Sequence, residues 1–179
     1  MMILGIDPGS LRTGYGIIDS EHRVHGFGVV AVSGDHVVRI QAIYRAVTEL
    51  VTVHKPDACA VEMPVYGQNP QAMLKLGRAQ AAAMLAAFNQ GLAVTQYTPK
   101  MIKRAVTGNG NASKQQVEYM IRSLLRFGKL GPDLTHDASD ALATALCHCH
   151  RETEGRTGTK VHKGWASFIR ANPDRIASP

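Results

Sequence analysis

No stretch of this 179-residue chain is apolar for long enough to cross a bilayer, and its N-terminus shows no signal-peptide pattern. Cysteine is scarce: three, an odd number without regular spacing, which excludes a disulfide framework and fits a reducing cytoplasm. Acid is missing from one long interval, since no Asp or Glu stands between Glu62 and Glu118. From Lys75 through Lys129 nine Lys or Arg face one acid, Glu118, in a chain of net charge +6. A solvated basic face and a polyanion-binding surface both fit such a run. The concentration of acids elsewhere favours the second.

What is present is enough apolar residue, 45%, for one domain with a single sizeable core. Four carboxylates stand apart from the rest. Asp7 follows Ile3-Leu4-Gly5-Ile6 and Glu62 follows Ala58-Cys59-Ala60-Val61, so both read as acids at the ends of buried strands. Asp137 and Asp140 lie three apart in a segment of helical composition and share one helix face. As a pair they read equally well as surface acids favoured near a helix start. Acids in apolar settings are costly to bury without a positive partner. Divalent cations suit the set, because Mg²⁺ takes oxygen ligands and two metal ions can drive phosphodiester cleavage.

Residues 2–8 read as a strand, followed by strands over Thr13–Ile18 and Val24–Val32 in an antiparallel meander. Apolar residues at helical spacing predict a helix over 36–54, and Pro56-Asp57 restarts the chain into a fourth strand ending at Glu62. An Ala-rich helix is expected over Asn69–Asn89 and a short strand over Leu92–Tyr97. Thr98-Pro99 then opens a helix as N-cap and first residue. Gly108-Asn109-Gly110-Asn111 reads as a mobile loop, and Ser113 with Gln116 as a capping box. A last helix is expected over about Thr135–His150. Residues 151–179, with six basic and three acidic residues, read as a basic, loosely ordered tail. This order of elements is that of a ribonuclease-H-like α/β fold, a mixed five-stranded sheet flanked by helices.

Lys100, Lys103 and Arg104 precede the Gly-rich loop, and Lys114 stands directly after the Ser113 cap. Positive charge there opposes the helix dipole, which points to a bound anion. Cys147-His148-Cys149-His150 invites a zinc reading. On a helix, however, only Cys147 and His150 share a face, so buried small hydrophobes are the better reading of the cysteines. His136, beside Asp137, is a candidate for proton transfer or substrate contact, with an ordinary surface histidine the stronger reading. The segment Gly5–Ser10 also resembles a phosphate-binding turn of actin-like and sugar-kinase ATPases, but those enzymes need two such lobes and about twice this length.

Taken in order, a string of motifs resembles the RuvC family of Holliday junction resolvases. They are Leu4-Gly5-Ile6-Asp7-Pro8-Gly9-Ser10, Thr13-Gly14-Tyr15-Gly16, Val61-Glu62, Asn69-Pro70 and Leu76-Gly77-Arg78-Ala79. Pro99–Lys103, Val106–Gly110, Ala112–Val117 and Asp137–Ala143 follow. The match covers about residues 2–150, which sets a nuclease domain over 1–150 and the tail over 151–179. The resemblance implies a homodimer that nicks opposed strands of four-way junctions with two Mg²⁺ ions per active site, Mn²⁺ being an acceptable substitute. It implies Asp7, Glu62, Asp137 and Asp140 as metal ligands, with Lys114 and Lys103 against the DNA backbone. Lys100, Arg78 and Tyr66 are further DNA-contact candidates. It also implies a branch-migration motor of the RuvA/RuvB kind as partner, and the helix over Asn69–Asn89 as the dimer region.

Two departures stand out. The segment Met63-Pro64-Val65-Tyr66-Gly67 carries its only aromatic, Tyr66, one position beyond the family's usual place, and Gly77-Arg78-Ala79-Gln80-Ala81 lacks a usual closing glycine. These keep a broader flap or fork nuclease in play. A non-catalytic junction-binding protein remains a third reading, although it would gain nothing from four acids that repel phosphate.

Overall fold

The computed structural model describes residues 1–64, 67, 69–130 and 134–156. Tyr66 and the tail from 157 onward lie outside the described residues. The core is a five-stranded sheet in the order β3-β2-β1-β4-β5. Strands β1 (Met2–Asp7), β2 (Arg12–Asp19) and β3 (Val24–Ala31) form the antiparallel meander. Strands β4 (Ala58–Glu62) and β5 (Ala93–Tyr97) add in parallel to β1.

Alternation along each strand sends its side chains into two different cores. Leu4, Ile6, Ile17, Cys59 and Val61 pack with Ile43, Val47 and Val51 of α1 (His36–His54) and with the alanines of α2 (Pro70–Asn89). Ile3, Ile18, Ala60 and Tyr97 face the other way. They meet α3 (Pro99–Thr107), α4 (Lys114–Leu124) and α5 (His136–Arg156). The result is three layers, with the sheet in the middle.

The helix starts follow local chemistry. Asp35, Asn69, Thr98 and Ser113 each accept from backbone N–H groups of the first turn, and Ser113 and Gln116 complete the reciprocal box. Gly108 closes α3 in the left-handed region at φ 78°, where a side chain would be strained. The loop that follows, expected to be mobile, carries local hydrogen bonds. Asn109 N donates to Thr107 Oγ1, Asn111 N to Asn109 Oδ1, and Ala112 N to Asn109 O. The last helix runs to Arg156, six residues past the boundary expected at 150.

Cys147 and Cys149 are buried in the core, while His148 meets the Tyr97 hydroxyl at 2.8 Å. His150 lies against the His22 ring and the Ala105 carbonyl. The Cys-His-Cys-His run is therefore packing, and no group of three His, Cys, Asp or Glu capable of holding zinc occurs among the described residues.

Candidate active site

Ile6 pairs with Val61 across the parallel strands β1 and β4, so the next residues, Asp7 and Glu62, emerge together at one sheet edge. Strand parity places Asp7 with Ile3 and Gly5, and Glu62 with Ala60, on the face that α5 covers. The start of β2 reaches the same edge, since Gly14 pairs with Asp7. Thr13 is buried there and donates from Oγ1 to Gly9 O at 3.0 Å, which ties the turn after Asp7 back onto β2.

Helix α5 can approach this edge because three strand positions have no side chain. A Cβ on Gly14 would collide with Asp137 O and stand 3.2 Å from Asp137 Cβ. A Cβ on Gly5 would collide with Ala141 O and stand 2.7 Å from Ala145 N, and one on Gly16 would stand 2.7 Å from Leu142 Cδ2. Gly5 and Gly16 face each other in the β1–β2 register. Together the three glycines form a flat seat that brings the first two turns of α5, with Asp137 and Asp140, down beside Asp7 and Glu62.

The four carboxylates then act on one another electrostatically. Burial pushes Asp7 up to about 7, with the charges of Asp140 and Asp137 adding to the rise and Lys114 opposing it. Burial likewise pushes Glu62 up to about 8, with Asp7 and Asp140 adding and with Lys114 and Lys103 opposing. Lys114 Nζ sits 3.2 Å from Asp140, whose charge raises the lysine's pKa. The helix-start lysine therefore has a protein carboxylate as partner, where the sequence pointed to a bound anion. Arg12 Nε sits 2.8 Å from Asp137.

Among the described residues no three such side chains converge into a ready cage for a metal ion, and the two helix carboxylates pair with Lys114 and Arg12. The chemistry of the set nonetheless fits a hard divalent cation. All donors are carboxylate oxygens, and the two at the strand ends are buried with too little positive charge to ionise easily. A metal ion would supply the missing charge.

This strain has a measurable sign. An acid whose folded pKa lies above its unfolded value binds more protons when folded, so its contribution to stability falls as pH rises between the two values. For Glu62 that window runs from 4.5 to about 8. In chelator, Glu62→Gln should therefore gain stability relative to wild type as pH rises through the window, read by urea denaturation. A difference independent of pH would contradict the burial argument.

The remaining expected site residues are placed less uniformly. Lys103 on α3 acts electrostatically on Glu62. Lys100, in the first turn of the same helix, runs its stem along Gly110. Arg78 is on α2, on the opposite side of the sheet, where it lines an apolar groove with Val37, Ile40 and Tyr44 of α1. The structure does not bring it to the four acids. His136 is exposed and pairs with Glu118 at 3.3 Å. Arg12 was not among the expected site residues. Its parity with Gly14 and Gly16 on β2 is the one signal that could have found it, since that parity puts it on the α5 face.

The chain is similar to known proteins over most of its length. A family model described as "Crossover junction endodeoxyribonuclease RuvC" matches residues 3–148. A protein of that name from Salinibacter ruber is 53% identical over 182 residues, covering 99% of each chain. Another, from Christiangramia forsetii, is 43% identical and covers 98% of this chain and 92% of its own. The Thermus thermophilus RuvC structure superposes with a TM-score of 0.77 at 33% identity, covering 87% of this chain and 97% of that one. The same protein in complex with a Holliday junction substrate gives 0.80 at 31%, covering 87% and 96%. The chain belongs to the RuvC family of crossover junction endodeoxyribonucleases.

Proposed function

We propose that this protein resolves four-way DNA junctions by metal-dependent nicking, with Asp7, Glu62, Asp137 and Asp140 holding Mg²⁺, two ions in each site. The observation that carries the reading is the meeting of four carboxylates from β1, β4 and α5 at one sheet edge, with Lys114 and Lys103 acting on them. The match to a relative solved with a Holliday junction substrate supports the choice of substrate.

When bound, the metal would activate water and neutralise charge on the leaving oxygen of a phosphodiester. The chain's own residues set up that chemistry. The glycine seat fixes the distance from α5 to β1, and Asp7 and Glu62 stand half-buried at the strand ends beside it. Lys114, 70% exposed, can turn its ammonium toward the scissile phosphate and offset charge that builds in the transition state. Lys103 and Lys100 on α3 extend the positive surface along the strand, so binding should weaken steeply with salt.

Lys114→Ala separates positioning from catalysis. It should lower single-turnover nicking about 10²–10³-fold, the range for losing one preorganised transition-state contact. Junction affinity by anisotropy should fall by less than about tenfold. Equal losses in both would assign the lysine to positioning alone.

Resolution of a junction needs two cuts, and a homodimer supplies two sites. Leu74, Leu85 and Phe88 of α2 and Val37 and Val38 of α1 are exposed on the side of the sheet away from the acids, and an apolar groove runs between the two helices. Exposed apolar surface of this kind suits a second copy of the chain. The proposal keeps a nuclease domain over 1–150 and a basic tail over 151–179, with a branch-migration motor as the expected partner of the dimer.

A further inference from the structure

Arg12 has no counterpart among the residues just assigned, yet it holds one of the four acids. Its Nε stands 2.8 Å from Asp137 Oδ2. The bond is open to solvent, with the Arg12 side chain 56% and Asp137 34% exposed. Exposed ion pairs hold their partners weakly. Such a contact is easily exchanged, unlike a buried pair that would leave a stranded charge when broken.

The location supplies the second half of the argument. Arg12 opens β2 on the same strand face as Gly14, against the first turn of α5 and at the edge where Asp7 and Glu62 emerge. A guanidinium matches a phosphate as well as it matches a carboxylate, in both cases through a planar fork of donors. A DNA backbone entering this edge would pass within the reach of Arg12, and a divalent cation entering it needs the oxygens of Asp137.

Resting on the nuclease reading above, we propose that Arg12 is a placeholder cation. It holds Asp137 while no metal is bound, and moves to a backbone phosphate near the cut when the metal takes that carboxylate. Arg12 thus competes with the metal for Asp137 in the free protein. DNA, by drawing the guanidinium away, makes the carboxylate available. Metal and DNA then strengthen each other's binding through one side chain, and linkage requires the effect to be reciprocal.

The test is Mn²⁺ titration of metal-stripped wild type, Arg12→Ala and Arg12→Lys, read by the electron paramagnetic resonance of free ion. Arg12→Ala should bind Mn²⁺ alone about two- to fivefold more tightly, the span an exposed ion pair can supply. Arg12→Lys should fall between. Stopped-flow anisotropy before the first nick should show Arg12→Ala losing more junction affinity with Mg²⁺ than with chelator. A side chain with a merely structural role could only weaken metal binding when removed. Unchanged or weaker Mn²⁺ binding in Arg12→Ala, with an unaltered melting temperature, overturns the proposal. So does an equal affinity loss with and without metal. Should the wild type nick no junction while the Mn²⁺ shift still appears, the nuclease reading fails and the exchange at Asp137 stands.

Discussion

Asp7→Asn is expected to abolish junction nicking, by about 10³-fold or more, while leaving the protein folded and at least as stable as wild type. The two halves of that expectation have one cause. Desolvation, and after it the charges of Asp140 and Asp137, push the half-buried Asp7 carboxyl up to about 7, so its ionised form is tolerated only for what it binds. Asparagine keeps the shape and removes the charge. Stability rises because the cost of a desolvated charge and its repulsion from Asp140 and Asp137 disappear, and activity falls because a carboxylate that would hold the metal is gone. A loss of about 10³-fold corresponds to roughly 4 kcal/mol of transition-state stabilisation, within reach of one ligand to a catalytic metal. Junction affinity in chelator should hold or tighten, since one negative charge facing the phosphates has been removed. Single-turnover nicking, urea denaturation and anisotropy check the three parts. Activity lost together with stability would mean that Asp7 matters for the fold and that the charge argument is wrong.

Gly14→Ala should damage both stability and activity, for a reason purely steric. The added methyl would collide with Asp137 O, on the first turn of α5. The helix cannot slide aside cheaply, because Gly5 and Gly16 seat its next turns with no spare room. Overpacking of this kind costs about 1–3 kcal/mol. The N-terminal turn must lift, and a displacement near 1 Å in a positioned group can cost about 10²-fold in rate. Gly5→Ala, whose clash is deeper along the helix at Ala141 and Ala145, is the comparison. It should cost at least as much stability. Matching denaturation midpoints against nicking rates for the two variants tests whether α5 is positioned by the glycines. A Gly14→Ala protein that cuts at the wild-type rate would exclude that role.

Much of this architecture was readable in the residue order, and the parts that were not share a physical reason. The helix over 36–54, the capping box at Ser113 and the strand ends at Asp7 and Glu62 depend on neighbours close in sequence, through periodicity, caps and apolar runs. The seat under α5 depends on a contact between residues more than a hundred positions apart. Gly5, Gly14 and Gly16 look like ordinary strand glycines until the helix lies on them. The same distance hid Arg12, whose partner Asp137 is 125 residues away, while the packing of α4 against α5 brought Lys114 to Asp140 across 26 residues. Arg78 was read as a DNA-contact candidate because its motif resembles the family's, and no neighbour close in sequence shows which face of the sheet it joins. Helix α2 packs on the α1 side of the sheet, and the arginine goes with it. The end of the last helix was set too early because the polar residues after His150 break the apolar pattern without breaking the helix, which continues to Arg156.

The most direct test of the central claim is a nicking assay on a synthetic immobile four-way junction and its matched linear duplex, each with Mg²⁺ or with chelator. The account predicts paired, symmetric nicks in opposed strands of the junction, none in the duplex, and none in chelator. Cutting that persists in chelator would contradict the assignment of the four carboxylates to metal. Equal cutting of the duplex would contradict a junction resolvase.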